Sequence, residues 1–290
     1  MSATTLVLAG LALAFAGPVT ALLEVSPRLR RTPRVTMLLW QSVALAAVLS
    51  ALGATLSFST DHAVPSSSWR SYGVAGLALL VLLVVLGRLL VSGHQVGLRL
   101  RLLRHRHRRL VDLVGTEQHG ARVVDSVRPA AYCVPALARS RVVLSRATVE
   151  ALTVDELAGV LAHERAHLRA RHDLVLEAFT VLGRAFPGVV LFRRALEEVR
   201  LLVEVLADRA ARRLVGPRPL VGALSTLGAC GAPEASLGMA AVGISVRLEL
   251  LLDPRRYRVQ AACVALVAGG VLVLPTVLVV LPWLRTLTGE

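Results

Sequence analysis

Thr153-Val154-Asp155-Glu156-Leu157-Ala158-Gly159-Val160-Leu161-Ala162-His163-Glu164-Arg165-Ala166-His167 is the stretch from which the rest of the chain can be read. Thr153 followed three residues later by Glu156 is a capping box, in which hydroxyl and carboxylate each satisfy an orphan backbone donor, so a helix starts here. Leu157, Val160, Leu161 and Leu168 recur at helical spacing and bury one face, which predicts a helix running to about His172. On it, His163 and His167 stand one turn apart on the same side, close enough to bind one Zn²⁺. Glu164 is beside them, placed to take a proton from a water on that ion. In 290 residues with 8 histidines, this pattern arises by chance about 0.01 times, so two unrelated surface histidines explain it poorly.

Hydrolysis at such an ion needs a third protein ligand and one open position. A third histidine six residues after His167, preceded by a glycine at the third, would mark a metzincin, but Asp173 and Ala170 stand there, so that class is excluded. A second helix over residues 193–214 offers Glu204, with Asp208 one turn further on to hold a ligand histidine by its free ring N–H. Glu197 and Glu198 on the same helix are rivals to Glu204. For the charge that develops on a peptide oxygen, the candidates are Arg200, one turn before Glu204, and Tyr132 and His119. His172 and Asp173 either orient the end of the metal helix or simply sit at its terminus, where the dipole favours histidine.

Outward from this site the chain turns strongly apolar. It is 55 % hydrophobic and 18 % charged, with a mean hydropathy of +0.65, which excludes a disordered or fibrous protein and points to a membrane protein. Four runs are long enough to cross a bilayer: 4–23, 35–58, 72–91 and 259–284. The first resembles a cleaved leader at Ala14-Phe15-Ala16, but no positive side chain precedes it and arginines follow, so it reads as a span. Every basic residue is arginine, for a net charge of +14. Arg28, Arg30, Arg31 and Arg34 follow the first run, Arg99, Arg101, Arg104, Arg106, Arg108 and Arg109 the third, and Arg255, Arg256 and Arg258 precede the fourth, whereas the 59–71 connection has only Arg70. The arginine-rich sides are expected to be cytoplasmic and both termini external.

The basic run 99–109 is read as lying on anionic headgroups, with a docking surface for an acidic or DNA-bound partner as the lesser reading; direct nucleic-acid binding is not expected. Cys133, Cys230 and Cys263 form no metal spacing and no even disulfide set, as suits a reducing compartment.

The expected fold is therefore mainly α: three membrane helices in 1–93, a cytoplasmic α+β domain over 94–258, and a fourth membrane helix with a short external tail in 259–290. Within the domain, the β-branched stretches Arg122-Val123-Val124 and Arg141-Val142-Val143-Leu144-Ser145 predict a small hairpin or sheet edge. Residues 126–131 on that edge could bind substrate as an added strand. Residues 219–254 read as two helices split at Gly231-Ala232-Pro233. A fifth apolar run, 174–192, holds Glu177, Arg184 and Pro187-Gly188, and reads as a buried or membrane-grazing helix.

The segments Ala131-Tyr132-Cys133-Val134-Pro135, Arg141 to Ser145, Glu156 to His167 and Glu204 to Asp208 resemble the BlaR/MecR-type membrane metallopeptidases, which are similar to the HtpX group. The resemblance covers about 122–254 and implies a gluzincin site with His163, His167 and Glu204 on Zn²⁺ and Glu164 as general base. It implies an integral-membrane zinc endopeptidase cleaving a cytoplasmic protein substrate, a transcriptional repressor in a signalling pathway. The alternatives are a quality-control protease of membrane proteins, as in the HtpX group, and a catalytically silent signalling or scaffold protein. In the family a sensor domain follows the last span, whereas here only Arg285 to Glu290 do, so the resemblance supports the peptidase rather than antibiotic sensing.

Overall fold

A computed structural model describes residues 2–63, 69–136, 138–229, 237–253, 255 and 257–288. The chain is mostly helical. In order come α1 (Ala3–Ala16), α2 (Pro18–Glu24), a 3₁₀ turn (Pro27–Arg31), α3 (Pro33–Ala63) and α4 (Trp69–Val114). Four strands follow, β1 (Thr116–Gln118), β2 (Ala121–Val124), β3 (Ala131–Val134) and β4 (Arg141–Ser145). Then come α5 (Arg146–Ala151), α6 (Val154–Ala170), α7 (His172–Ala185), α8 (Val190–Val215), α9 (Pro217–Ala229), α10 (Leu237–Leu252) and α11 (Arg258–Thr288). These form two compact units: Met1–Gln95, Phe179–Val199 and Tyr257–Glu290 in one, Val96–Ala178 and Arg200–Arg256 in the other. Residues 179–199, which the sequence reading placed in the soluble domain, cluster with the apolar helices.

The first unit holds the expected spans, the third of them up to Gln95. Ala3–Glu24, Pro33–Asp61, Trp69–Val114 and Arg258–Val280 are long and apolar enough to cross a membrane, as in a multi-pass membrane protein. The first is broken at Gly17-Pro18, where proline cannot continue the hydrogen-bond ladder, and Thr20 Oγ1 donates to the Phe15 carbonyl at 2.8 Å across the break. α3 packs against α1 and α11 with Trp40 and Val43 buried. Gly53 permits the closest approach, since a Cβ there would lie 2.4 Å from Val279 Cγ2. Arg30 donates from Nε and Nη2 to both oxygens of Glu198 at 2.7 and 2.8 Å, so this rival of Glu204 is held as an ion-pair partner instead. The third helix does not end at residue 91 but continues to Val114, 46 residues in all, because nothing in the basic run after it breaks a helix. The fifth apolar run is two helices, α7 and α8, separated at Pro187-Gly188, and is not among the helices fit to cross a membrane.

In the second unit the predicted hairpin is a four-stranded mixed sheet in the order β1-β2-β4-β3. β2 runs parallel to β4, and β3 pairs antiparallel with β4, Tyr132 opposite Val143 and Cys133 opposite Val142. β1, which the sequence reading did not anticipate, pairs only with β2. Alternation sorts the side chains: Val123, Val142 and Leu144 meet Leu157, Val160 and Leu161 of α6, while Val134 and Val143 meet Val111 near the end of α4. α6 thus lies on one face of the sheet, and α9 packs on it so closely that a Cβ on Gly159 would sit 3.2 Å from Leu220. Two helices, α9 and α10, occupy most of 217–252 as expected, and the turn assigned to Gly231-Ala232-Pro233 lies outside the described residues.

Candidate metal centre

The capping box forms as the sequence requires: Thr153 Oγ1 accepts from Glu156 N, and Glu156 Oε2 accepts from Thr153 N at 2.9 Å. With its start so fixed and Leu157, Val160 and Leu161 buried against the sheet, α6 has one rotation about its axis, and this points His163, Glu164 and His167 away from solvent. α8 brings Glu204 to them. His163 Nε2 and His167 Nε2 are 3.1 Å apart, and each is 3.4 Å from a Glu204 oxygen. Two ligands at about 2.0–2.1 Å from a tetrahedral ion are separated by about 3.3 Å. The two imidazole nitrogens are near that spacing from each other and each from a different oxygen of one carboxylate, with one ligand atom of each residue within 4.8 Å of the others, a donor set that suits Zn²⁺. Glu197 is exposed and is not in this cluster.

Behind the ligands stands a layer that fixes their orientation. His163 Nδ1 donates to Asp208 Oδ1 at 2.8 Å, one turn along α8 from Glu204. Asp208 is itself clamped by Arg247 of α10, whose Nε and Nη2 donate at 2.8 and 2.9 Å, and Arg247 Nη1 lies 3.0 Å from Glu204 Oε2. Arg212 of α8 donates to the carbonyls of Leu251 and Asp253 at 2.6 and 3.1 Å, which ties down the end of the helix that carries Arg247. His167 is oriented from another side. Arg171 takes a left-handed backbone (φ 52°) that turns the chain sharply, and His172, buried at the start of α7, places its Nδ1 3.0 Å from His167 Nδ1. For His167 Nε2 to present a lone pair, its Nδ1 must carry the proton and donate it to His172.

Electrostatics follow from this packing. Burial opposes a charge on His163, but the carboxylates of Asp208 and Glu204 outweigh it and raise the group to about 9. Burial holds His167 down at about 4 and also lowers His172, which keeps the latter neutral and able to accept. Glu204 is pulled down to about 2 because the His163 hydrogen bond and the Arg247 charge overcome its burial. Glu164 moves the other way, raised chiefly by burial. Burial, with the charge of the nearby Glu164 carboxylate, pushes the thiol of Cys133 on β3 up to about 12, so it stays protonated.

The ligands open on a cavity of about 370 Å³ with apolar walls from Leu220, Ala223, Leu224, Leu227 and Ile244 and a backbone wall from Pro129, Ala130 and Ala131. Three sequence expectations change here. Arg200 is exposed and does not line the cavity, because one turn before Glu204 is about 6 Å along the helix axis; the arginine of the site is Arg247. Tyr132 turns to the far face of the sheet, where its hydroxyl is 2.8 Å from His107 Nε2, and His119 is exposed in the β1–β2 turn. Residues 126–130 are not a strand, and the Ala130 N–H is already given to Ser145 Oγ and Thr148 Oγ1 at 2.9 and 2.7 Å. Of the sheet's two edge strands, β1 and β3, it is β3 whose first residue, Ala131, lines the cavity.

Residues 99–215 match peptidase family M48, a family of metallopeptidases. The match takes in α6 and α8 with His163, Glu164, His167, Glu204 and Asp208, and stops short of Arg247. No curated protein and no solved structure matches the chain.

Proposed function

We propose that the protein is an integral-membrane zinc endopeptidase whose site opens toward the side of the bilayer bearing the arginine-rich loops, the cytoplasmic side by the positive-inside rule. The observation that carries this reading is the triangle of His163, His167 and Glu204 atoms with the buried Glu164 carboxyl beside it. Zinc held by these three residues supplies Lewis acidity, polarising a peptide carbonyl and acidifying a water. Glu164 takes the water's proton and returns it to the leaving amine, and its raised pKa brings it toward the range where it does both. Asp208 keeps His163 presenting Nε2, His172 does the same for His167, and Arg247 keeps Glu204 ionised and in place. A substrate strand laid along β3 would be held by its main chain, and the cavity lined by Leu220, Leu224 and Ile244 would take an apolar side chain next to the cleaved bond.

Among substrates, the apolar lining favours exposed hydrophobic segments, so we place quality control of membrane proteins first and cleavage of a transcriptional repressor, the reading that follows from the resemblance to BlaR/MecR-type proteins, second. The test is the full chain in lipid vesicles with zinc and a set of unfolded membrane proteins and small winged-helix repressors. Wild type should cleave beside large apolar residues, and Glu164→Gln should keep its zinc and lose about 10²–10⁴-fold in rate. Equal turnover by the variant would refute Glu164 as the base, and absence of any cleavage by wild type would favour a silent scaffold.

A further inference from the structure

A second cavity, about 340 Å³, lies in the first unit between α4 and α7. Its polar rim is organised by three hydrogen bonds. Arg88 Nε donates to the Ala185 carbonyl at 2.8 Å, Ser92 Oγ donates to the Val181 carbonyl at 2.9 Å, and Arg184 Nη2 donates to Gln95 Oε1 at 2.9 Å. These contacts aim two guanidiniums at one space while engaging only part of the five donors that each carries. Among the described residues neither Arg88 nor Arg184 has an ion-pair partner, and no carboxylate lines the cavity. Gly87 lines it too, and a Cβ there would meet nothing within 4 Å, so a larger side chain at this position would have room to extend into the space.

Position in the chain says what such a space meets. Arg88 lies near the end of the apolar run 72–91, and the basic run begins at Arg99, so the cavity falls where hydrocarbon gives way to headgroups. On its N-terminal side α4 exposes Leu80, Leu83 and Val84, a surface suited to acyl chains. Free phosphate would leave that apolar surface unused, and a zwitterionic headgroup would bring its own cation against two guanidiniums. We infer that this cavity is a binding site for one anionic phospholipid, its phosphodiester between Arg88 and Arg184 and its acyl chains along the exposed face of α4.

The site is independent of the peptidase reading, and its test does not use hydrolysis. The full chain in mild detergent is mixed with phosphatidylglycerol, phosphatidylcholine or inorganic phosphate, and retained lipid is read by native mass spectrometry. Phosphatidylglycerol should be retained as a one-to-one adduct, phosphatidylcholine much less, and millimolar phosphate should not displace the lipid. Removing one guanidinium by Arg88→Gln or Arg184→Gln should cut retention about fivefold and removing both about 25-fold. Gly87→Leu, which fills the space without changing charge, should match the double variant, while Arg106→Gln with Arg109→Gln should leave the adduct intact. If Arg88→Gln fails to fold, because Arg88 also holds Ala185, then Arg184→Gln and Gly87→Leu decide. Equal retention of the two lipids, displacement by phosphate, survival of the adduct in Gly87→Leu, or its loss in the Arg106/Arg109 variant would each overturn the assignment.

Discussion

The two units are built for opposite solvents. In the first, large apolar side chains point outward, Leu90 at 74 % exposure among them, while Thr5, Thr36 and Ser50 are buried between helices. In the second, Leu144 at 0 % and Val143 fill the core, and the buried charge of Asp208 is admitted only with Arg247 and His163 around it. What differs is where polarity is costly: in hydrocarbon the helices satisfy their own backbones and pack through small residues such as Ala44, Ala47 and Gly53, whereas in water the apolar stripe must be covered. One consequence is that helical periodicity locates α6 but carries no information in α3 or α11, which are apolar all round.

The largest effect that would test this division is on the metal. His163→Ala or His167→Ala should lower zinc retention and peptide hydrolysis by about 10³-fold or more, while helix content and membrane insertion stay unchanged, since the first unit takes nothing from the ion. Zinc analysis after dialysis checks it; full retention in both variants would remove the site.

Arg247→Met should destabilise the second unit by about 3–5 kcal/mol, because it leaves Asp208 buried and unpaired. Arg200→Gln, at an exposed position, should stay within about 0.5 kcal/mol. Thermal unfolding in detergent distinguishes them, and equal losses would mean that Arg200 belongs to the site after all.

The same measurement compares the cores. Leu144→Ala should cost about 2–5 kcal/mol and Leu90→Ala less than about 0.5, although both are leucines in regular structure. A large loss at Leu90 would show that its face is covered by protein and not by lipid.

The most gradual effect, about 1.4 kcal/mol per unit, is in pH. The metal-free pKa of His163 is raised to about 9, so below that value a proton occupies the site and zinc must displace it. Zinc affinity should rise about tenfold per unit as pH climbs toward 9 and then level off. For the metal-free fold the sign is reversed: the stabilisation from protonated His163 is full below the ordinary histidine value of about 6.5 and is lost as pH rises through about 9. Flat zinc affinity across this range, followed by calorimetry, would mean that His163 is neutral without metal.

The sequence is most informative where chemistry depends on local spacing. His163, Glu164 and His167 share one helix whose start is marked by Thr153 and Glu156, and Glu204 and Asp208 are one turn apart on another, so pattern alone brings each group to one face. Arg247 carries no such mark: it sits in an apolar run of α10, 39 residues from the carboxylate it clamps, and only tertiary packing unites them. Arg200 misled because a shared helix stripe says nothing about where the cavity ends. Cys133 reaches Glu164 from β3, and the parallel pairing of β2 with β4 that positions β3 is a long-range choice that β-branched composition does not specify. His172 was legible as a neighbour of the metal helix, but its contact with His167 depends on the left-handed turn at Arg171, a backbone state that arginine rarely adopts.

The clamp between Arg247 and Asp208 also sets an order of events during biosynthesis. The ribosome delivers both helices of the candidate metal site before α10 exists, and the 39-residue interval between Asp208 and Arg247 takes about 2–8 s to translate. During that interval Asp208 has no guanidinium to offset its burial and Glu204 lacks the cation that holds it ionised, so the nascent site is incomplete and poorly suited to capture metal. Synthesis of α10 is therefore the step that completes the layer of charges around the candidate metal site.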